Sequence, residues 1–356
     1  MAELLIGGAP VVTLHAPAPL DRPGIVEATV LPGRGLMLLQ AVVARPNGER
    51  MALLYAPPLP EAARRLKGGP DDFAGNQSFA FGAAILAPYA NRIRGRLLPA
   101  ERQIETSIGG RTVRLPRNWS GIAAGAEAYA MHGLILDRQT DYVCIDSTMV
   151  EGRMTGFAGG WPGELELTLT WTLLGGGISL CVEARSVGLE PAPFAAGWHP
   201  YFRLPSGDRR QVRLTVPARS RVEVNNYDEV LPTGRLLGVA NTPYDFRTGR
   251  ELGEIYLDDC FTDLPEGQLK IELIDPAGDF AVRIATHAPP VRAVQFYAPL
   301  EAAFVVIEPQ FNLADPFGSA WPEGLETGMA WLLPGQVATY HVAVDVVSSA
   351  ESSRCC

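Results

Sequence analysis

The chain has 356 residues, 47% of them hydrophobic, enough to bury a large core in one domain or two. A formal net charge of -9 and the lack of any Lys/Arg-rich run exclude the electrostatic footprint of a nucleic-acid binder. Gly, Pro and charged residues break every apolar stretch before the roughly 18 to 20 residues that a membrane-spanning helix needs, so no membrane partner is expected.

In chain order, the first twenty residues hold neither Lys nor Arg and therefore lack the basic start of a secretory leader, which points to the cytoplasm. Residues 60–66 predict a short helix, and the Ala-rich but glycine-interrupted residues 123–130 form a second, weaker helical candidate. From Glu164 the sequence alternates polar and apolar residues to Trp171, meets Gly175-Gly176-Gly177, and resumes alternation at Ile178, Leu180, Val182 and Ala184, which predicts a β-hairpin. The same period of two returns over residues 211–216, 221–224, 269–273, 280–284 and 337–346, predicting strands with one wet face. With 37 glycines and 30 prolines spread along the chain, no short repeat and no internal linker, the reading is all-β: one large antiparallel β-sandwich over residues 1–347, followed by a polar tail at 348–356. The five cysteines, Cys144, Cys181, Cys260, Cys355 and Cys356, show neither zinc-ligand spacing nor disulfide density, which suits a reducing compartment.

Chemistry concentrates in a few segments. Gly197-Trp198-His199-Pro200-Tyr201-Phe202 sets an imidazole among aromatic faces on which a sugar ring can stack, although a hydrogen-bonded core histidine explains the same pattern. His132, between Met131 and Gly133, invites the same two readings. Glu308 follows the apolar run Phe304-Val305-Val306-Ile307, and since an unpaired buried carboxylate is costly, it is expected either at a strand end beside a partner or facing a pocket. Asn91-Arg92 offers an amide beside a guanidinium, and Asp258-Asp259 offers carboxylates; both suit vicinal hydroxyls, and both also suit ordinary turn salt bridges. No phosphate-binding glycine loop, His-Glu-x-x-His signature or Gly-x-Ser-x-Gly elbow occurs, which leaves acid/base chemistry with no metal and no cofactor as the expectation.

Taken in order, Asn91-Arg92-Ile93, His132-Gly133-Leu134, Trp161-Pro162-Gly163, Trp198-His199-Pro200-Tyr201-Phe202, Asp258-Asp259-Cys260-Phe261, Gln295-Phe296-Tyr297, Ile307-Glu308-Pro309 and Pro334-Gly335 resemble the aldose 1-epimerase (galactose mutarotase) family over almost the whole chain. The resemblance implies the galactose mutarotase-like supersandwich, with a monosaccharide on a curved sheet face, Glu308 as base, His199 as acid and His132 assisting near the ring oxygen. It also implies sugar contacts from Arg92 and Asp258, with Asn91 beside them and Gln295 as a weaker match; the residues themselves add the aromatic face of Trp198, and the chain is expected as a monomer or homodimer. The sequence departs from the family where Gly95 closely follows Arg94, and where Asp259 stands in place of a histidine, so either Asp258 or Asp259 is expected to face the sugar. A hexose 6-phosphate mutarotase using Arg94 and Arg96, a sugar-binding module without chemistry, and a glycosidase using Glu308 with Asp258 are the competing readings. An ionised Glu308 and a protonated His199 together imply a bell-shaped pH dependence, its acid limb from Glu308 and its alkaline limb from His199.

Overall fold

Alternation becomes a ladder when one face can be covered, and the hairpin read from sequence does so: Leu165–Leu174 pairs antiparallel with Gly177–Ser186 from Leu165↔Ser186 to Leu174↔Gly177. Its two-residue connection needs left-handed backbone at both positions, which Gly175 (φ 59°) and Gly176 (φ 86°) supply without steric cost. The computed structural model describes residues 4–157 and 160–352.

Among the described residues, this hairpin belongs to a nine-stranded antiparallel sheet, in which Val337–Val347, Phe280–Ala288 and Gly267–Asp275 follow it in order. An eleven-stranded sheet packs against it. The centre of that second sheet runs Leu257–Thr262, Ala293–Ala298, Phe304–Gln310, Gly197–Arg203 and Ala83–Leu86. Inward residues of the two sheets form one core: Leu169, Trp171, Leu180 and Val342 from the first meet Trp198, Phe202, Phe296 and Ile307 from the second. The contact is direct, since the Trp171 and Trp198 rings cross edge to face with centroids 5.7 Å apart, and Tyr340 Oη donates to the Pro309 carbonyl at 2.8 Å.

The first helical expectation is met by Leu59–Arg65. The second is corrected. Gly125 takes φ 82°, Asp228 accepts the N–H groups of Ile122 and Ala123, and Ala128–Met131 becomes a strand paired with Arg92–Ile93. A glycine at positive φ together with a ready strand partner outweighs alanine propensity there. The start of the polar tail is docked: Ser349–Ser352 makes one helical turn whose Ser352 is buried, with its hydroxyl donating to Glu272. Cys355 and Cys356 lie outside the described residues. No helix among the described residues is long and apolar enough to cross a membrane.

Candidate active site

Because side chains alternate across a strand, every second residue of the central strands leaves the core and faces outward. On Gly197–Arg203 these are His199 and Tyr201; on Phe304–Gln310, Phe304 and Glu308; on Ala293–Ala298, Gln295 and Tyr297; on Leu257–Thr262, Asp258. All of them line one cavity of ≈ 380 Å³ on the outer face of the larger sheet. Loops roof it, bringing Phe79, Trp119, His132, Tyr227 and Tyr256. The site is therefore carried by the outside of a sheet whose inside is the sandwich core.

The same parity corrects one expectation and decides another. Trp198 is fully buried in the core against Trp171 and Phe202 and does not line the cavity; the aromatic faces around the cavity belong to Tyr201, Tyr297 and Phe304 of the sheet and to the roof. Asp258 faces the cavity, whereas Asp259 points to the core side, paired with Arg221 at 2.7 Å and accepting from Tyr227 Oη at 2.9 Å.

Glu308 sits in mid-strand, 2% exposed, with Oε1 3.4 Å from His199 Nε2 and with Oε2 making no hydrogen bond among the described residues. His132 closes the group: its ring meets that of His199 edge to face at 4.7 Å and that of Phe79 at 4.9 Å, and among the described residues neither of its nitrogens has a hydrogen-bond partner. His132 is held in left-handed backbone (φ 63°), and its N–H donates to the Asn91 carbonyl at 2.8 Å. Gly133 follows at φ 88°, where a Cβ would lie 2.2 Å from the Ala87 carbonyl oxygen; only glycine fits that approach. Backbone held this way for a bulky residue recurs at functional sites.

A polar ring faces the Glu308–His199 pair. Gln295 Nε2 donates to Asp258 Oδ1 at 2.7 Å, Asn91 Nδ2 donates to Gln295 Oε1 at 3.1 Å, and Arg92 donates to Asn91 Oδ1 at 2.8 Å while its other terminus lies 3.7 Å from Asp258 Oδ2. Arg92, Asp258 and Gln295 touch the cavity; Asn91 does not, and instead holds two of its neighbours. The other two cations considered lie outside the cavity lining, Arg94 bound to Asp315 at 2.9 Å and Arg96 to Glu105 at 2.5 Å.

Electrostatics follow from burial. Desolvation, aided by the Asp258 charge and opposed by Arg92, raises Glu308 well above the usual carboxylate range. Burial lowers His199 to about 3 and pushes His132 well below its ordinary value, with the neighbouring histidine adding to the effect on His132. Burial also raises Asp258, against the pull of Arg92. Burial thus opposes the charged form of both members of the Glu308–His199 pair.

Phe79, Trp119, Tyr227 and Tyr256 were not singled out in the sequence. The local signal for Trp119 and Tyr227 is an aromatic between polar residues, Asn118-Trp119-Ser120 and Asn226-Tyr227-Asp228. What joins those loops is tertiary: Asp228 accepts from Ile122 and Ala123, and Glu229 from the Glu127 N–H at 2.7 Å.

The profile of the family described as Aldose 1-epimerase matches residues 61–342. Galactose mutarotase of Mus musculus is 27% identical over 174 residues, 47% of each chain, and that of Homo sapiens is 33% identical over 98 residues, 27% of this chain and 28% of the human protein. The matched stretches thus span half or less of these relatives' lengths. Among solved structures, an aldose epimerase homologue from C. elegans superposes with a TM-score of 0.70 at 18% identity, covering 95% of this chain and 99% of that one. A galactose mutarotase-like protein from Clostridium acetobutylicum reaches 0.68 at 16% identity, over 91% and 93% of the two chains. At these identities the superpositions speak for a common fold.

Proposed function

Because this chain belongs to the aldose 1-epimerase family, we propose that it interconverts the α and β anomers of a free, unphosphorylated aldohexose. The observation that carries the reading is the pair Glu308 Oε1 and His199 Nε2, 3.4 Å apart in one cavity wall. Two adjacent proton-transfer groups match a hemiacetal, whose ring oxygen and anomeric hydroxyl are bonded to the same carbon. Glu308 removes the proton from the anomeric hydroxyl, the bond between C1 and the ring oxygen breaks, and the ring oxygen takes its electron pair together with a proton from His199. Rotation about C1–C2 and reversal of both transfers give the other anomer and restore both groups. His132, beside His199, is placed to hold the ring oxygen, while Arg92, Asp258 and Gln295 offer donors and acceptors to the ring hydroxyls.

Burial alters how the proton is shared. Desolvation opposes the charged form of both groups, so the reactive arrangement, carboxylate beside imidazolium, is favoured once the sugar supplies polar contacts. The limbs of the pH profile are then exchanged relative to the expectation from ordinary pKa values: the lowered His199 governs the acid side and the raised Glu308 the alkaline side.

The preference for an unphosphorylated sugar rests on charge. Among the described residues, Arg92 is the one Lys or Arg lining the cavity, and Asp258 already faces it, while Asp228 and Glu308 add further carboxyls. A phosphate dianion finds no free cation there.

The test is the polarimetric decay of freshly dissolved α-D-glucose, α-D-galactose and α-D-glucose 6-phosphate, with and without protein. Acceleration is expected on a free hexose, and Glu308→Gln is expected to lose about 10²- to 10⁴-fold of it, the usual worth of a general base. Parental turnover by Glu308→Gln overturns the assignment of the base, and acceleration confined to the 6-phosphate overturns the substrate class.

A further inference from the structure

We infer that His132, His199 and Glu308 form a Zn²⁺ site, at which the metal competes with the sugar. Among the described residues, one ligand atom from each of the three lies within 4.8 Å of the other two. The 3.4 Å between His199 Nε2 and Glu308 Oε1 is already the ligand-to-ligand edge of a tetrahedron with metal bonds of about 2.0–2.1 Å. His132 is tied by no hydrogen bond at either ring nitrogen, so its ring is free to close the remaining gap by a change of side-chain angle. Among the described residues Glu308 Oε2 is likewise without a hydrogen-bond partner, and a buried polar atom left this way can take up an ion.

Two imidazoles and one carboxylate, with a fourth position opening onto a cavity, make the donor set of open zinc sites. Imidazole nitrogen favours Zn²⁺ over Mg²⁺ and Ca²⁺, which call for oxygen ligands. Arg92 opposes a cation in this cavity, and the Asp258 and Glu308 carboxylates outnumber it. Resident zinc sites have histidines whose second nitrogen donates to a carboxylate or carbonyl; among the described residues His132 has no such support, which makes this an exchangeable, inhibitory site rather than a permanent one. The binding follows from the geometry alone, whereas the inhibition rests on the mutarotase reading, because the metal engages the atoms that move the proton.

The test is calorimetric titration of the full chain with ZnCl₂ in chelator-free buffer, together with Co²⁺ substitution to read the visible band of a tetrahedral site. One metal per chain is expected. It should be retained against a large excess of Mg²⁺, displaced by glucose, and bound at least ~10–100-fold more weakly by His132→Ala and by Glu308→Gln, the second of which preserves side-chain shape. Zinc should raise the KM for sugar and leave kcat unchanged. No binding, or binding equal in both variants, overturns the site; the latter result would move the metal to a surface position such as the neighbouring His287 and His341. Binding that sugar does not displace overturns the competition, and because the titration needs no turnover, its result stands apart from the fate of the mutarotase reading.

Discussion

Asn91 is the residue whose removal should reach furthest for the fewest atoms lost. It does not touch the cavity, yet it fixes the Gln295 amide and accepts from the Arg92 guanidinium. Asn91→Ala leaves Gln295 Oε1 without its donor and one Arg92 N–H without its acceptor, both on nearly buried side chains at the cavity wall. A buried neutral group left unpaired costs about 1–3 kcal/mol, and one tied to a charge costs more. The φ of 61° adds to this, because alanine in left-handed backbone costs roughly 1–2 kcal/mol where asparagine is tolerated. The sum is about 3–8 kcal/mol, a large part of the 5–15 kcal/mol that stabilises a typical domain. Asn91→Asp separates the terms: it keeps the acceptor for Arg92 and cannot donate to Gln295, so it should cost less stability and still free the Gln295 amide to turn its oxygen towards Asp258. Urea unfolding reads the stability, and polarimetric kinetics read the positioning, which should appear as a raised KM with a smaller change in kcat. A loss below about 1 kcal/mol in Asn91→Ala, with KM unchanged in both variants, would refute the claim that this amide organises the polar ring.

Two further outcomes are expected. Trp198→Phe removes part of a fully buried ring and should cost on the order of 1–3 kcal/mol as a large-to-small core change, yet should keep the sugar KM, because the indole lies on the core side and its N–H has no hydrogen-bond partner among the described residues; a raised KM would return Trp198 to the sugar. His199 should remain a neutral imidazole by ¹⁵N NMR at pH 7 in the free protein and charge only towards its lowered value of about 3, with kcat/KM falling on the acid side in step. An imidazolium at pH 7 would restore the ordinary assignment of the two limbs.

Much of this protein was written locally. Alternation from Glu164 through Ala184 specified the longest hairpin, and the glycine pair between its strands specified the turn, because strand period and turn chemistry act over a few residues. Glu308 after four apolar residues announced a carboxylate in the wrong medium, and burial does raise it. Local sequence did not say which face of each strand is wet when both faces are buried. Along Gly197–Arg203 six of seven residues are buried, so composition could not separate Trp198 from His199, nor Asp258 from Asp259 on a neighbouring strand. That choice came from packing, because the nine-stranded sheet covers one face, and whichever residues share its parity become core. The roof residues Trp119 and Tyr227 were invisible for a related reason: their loops meet through Asp228 and Glu229, contacts between segments about one hundred residues apart, which no local pattern encodes.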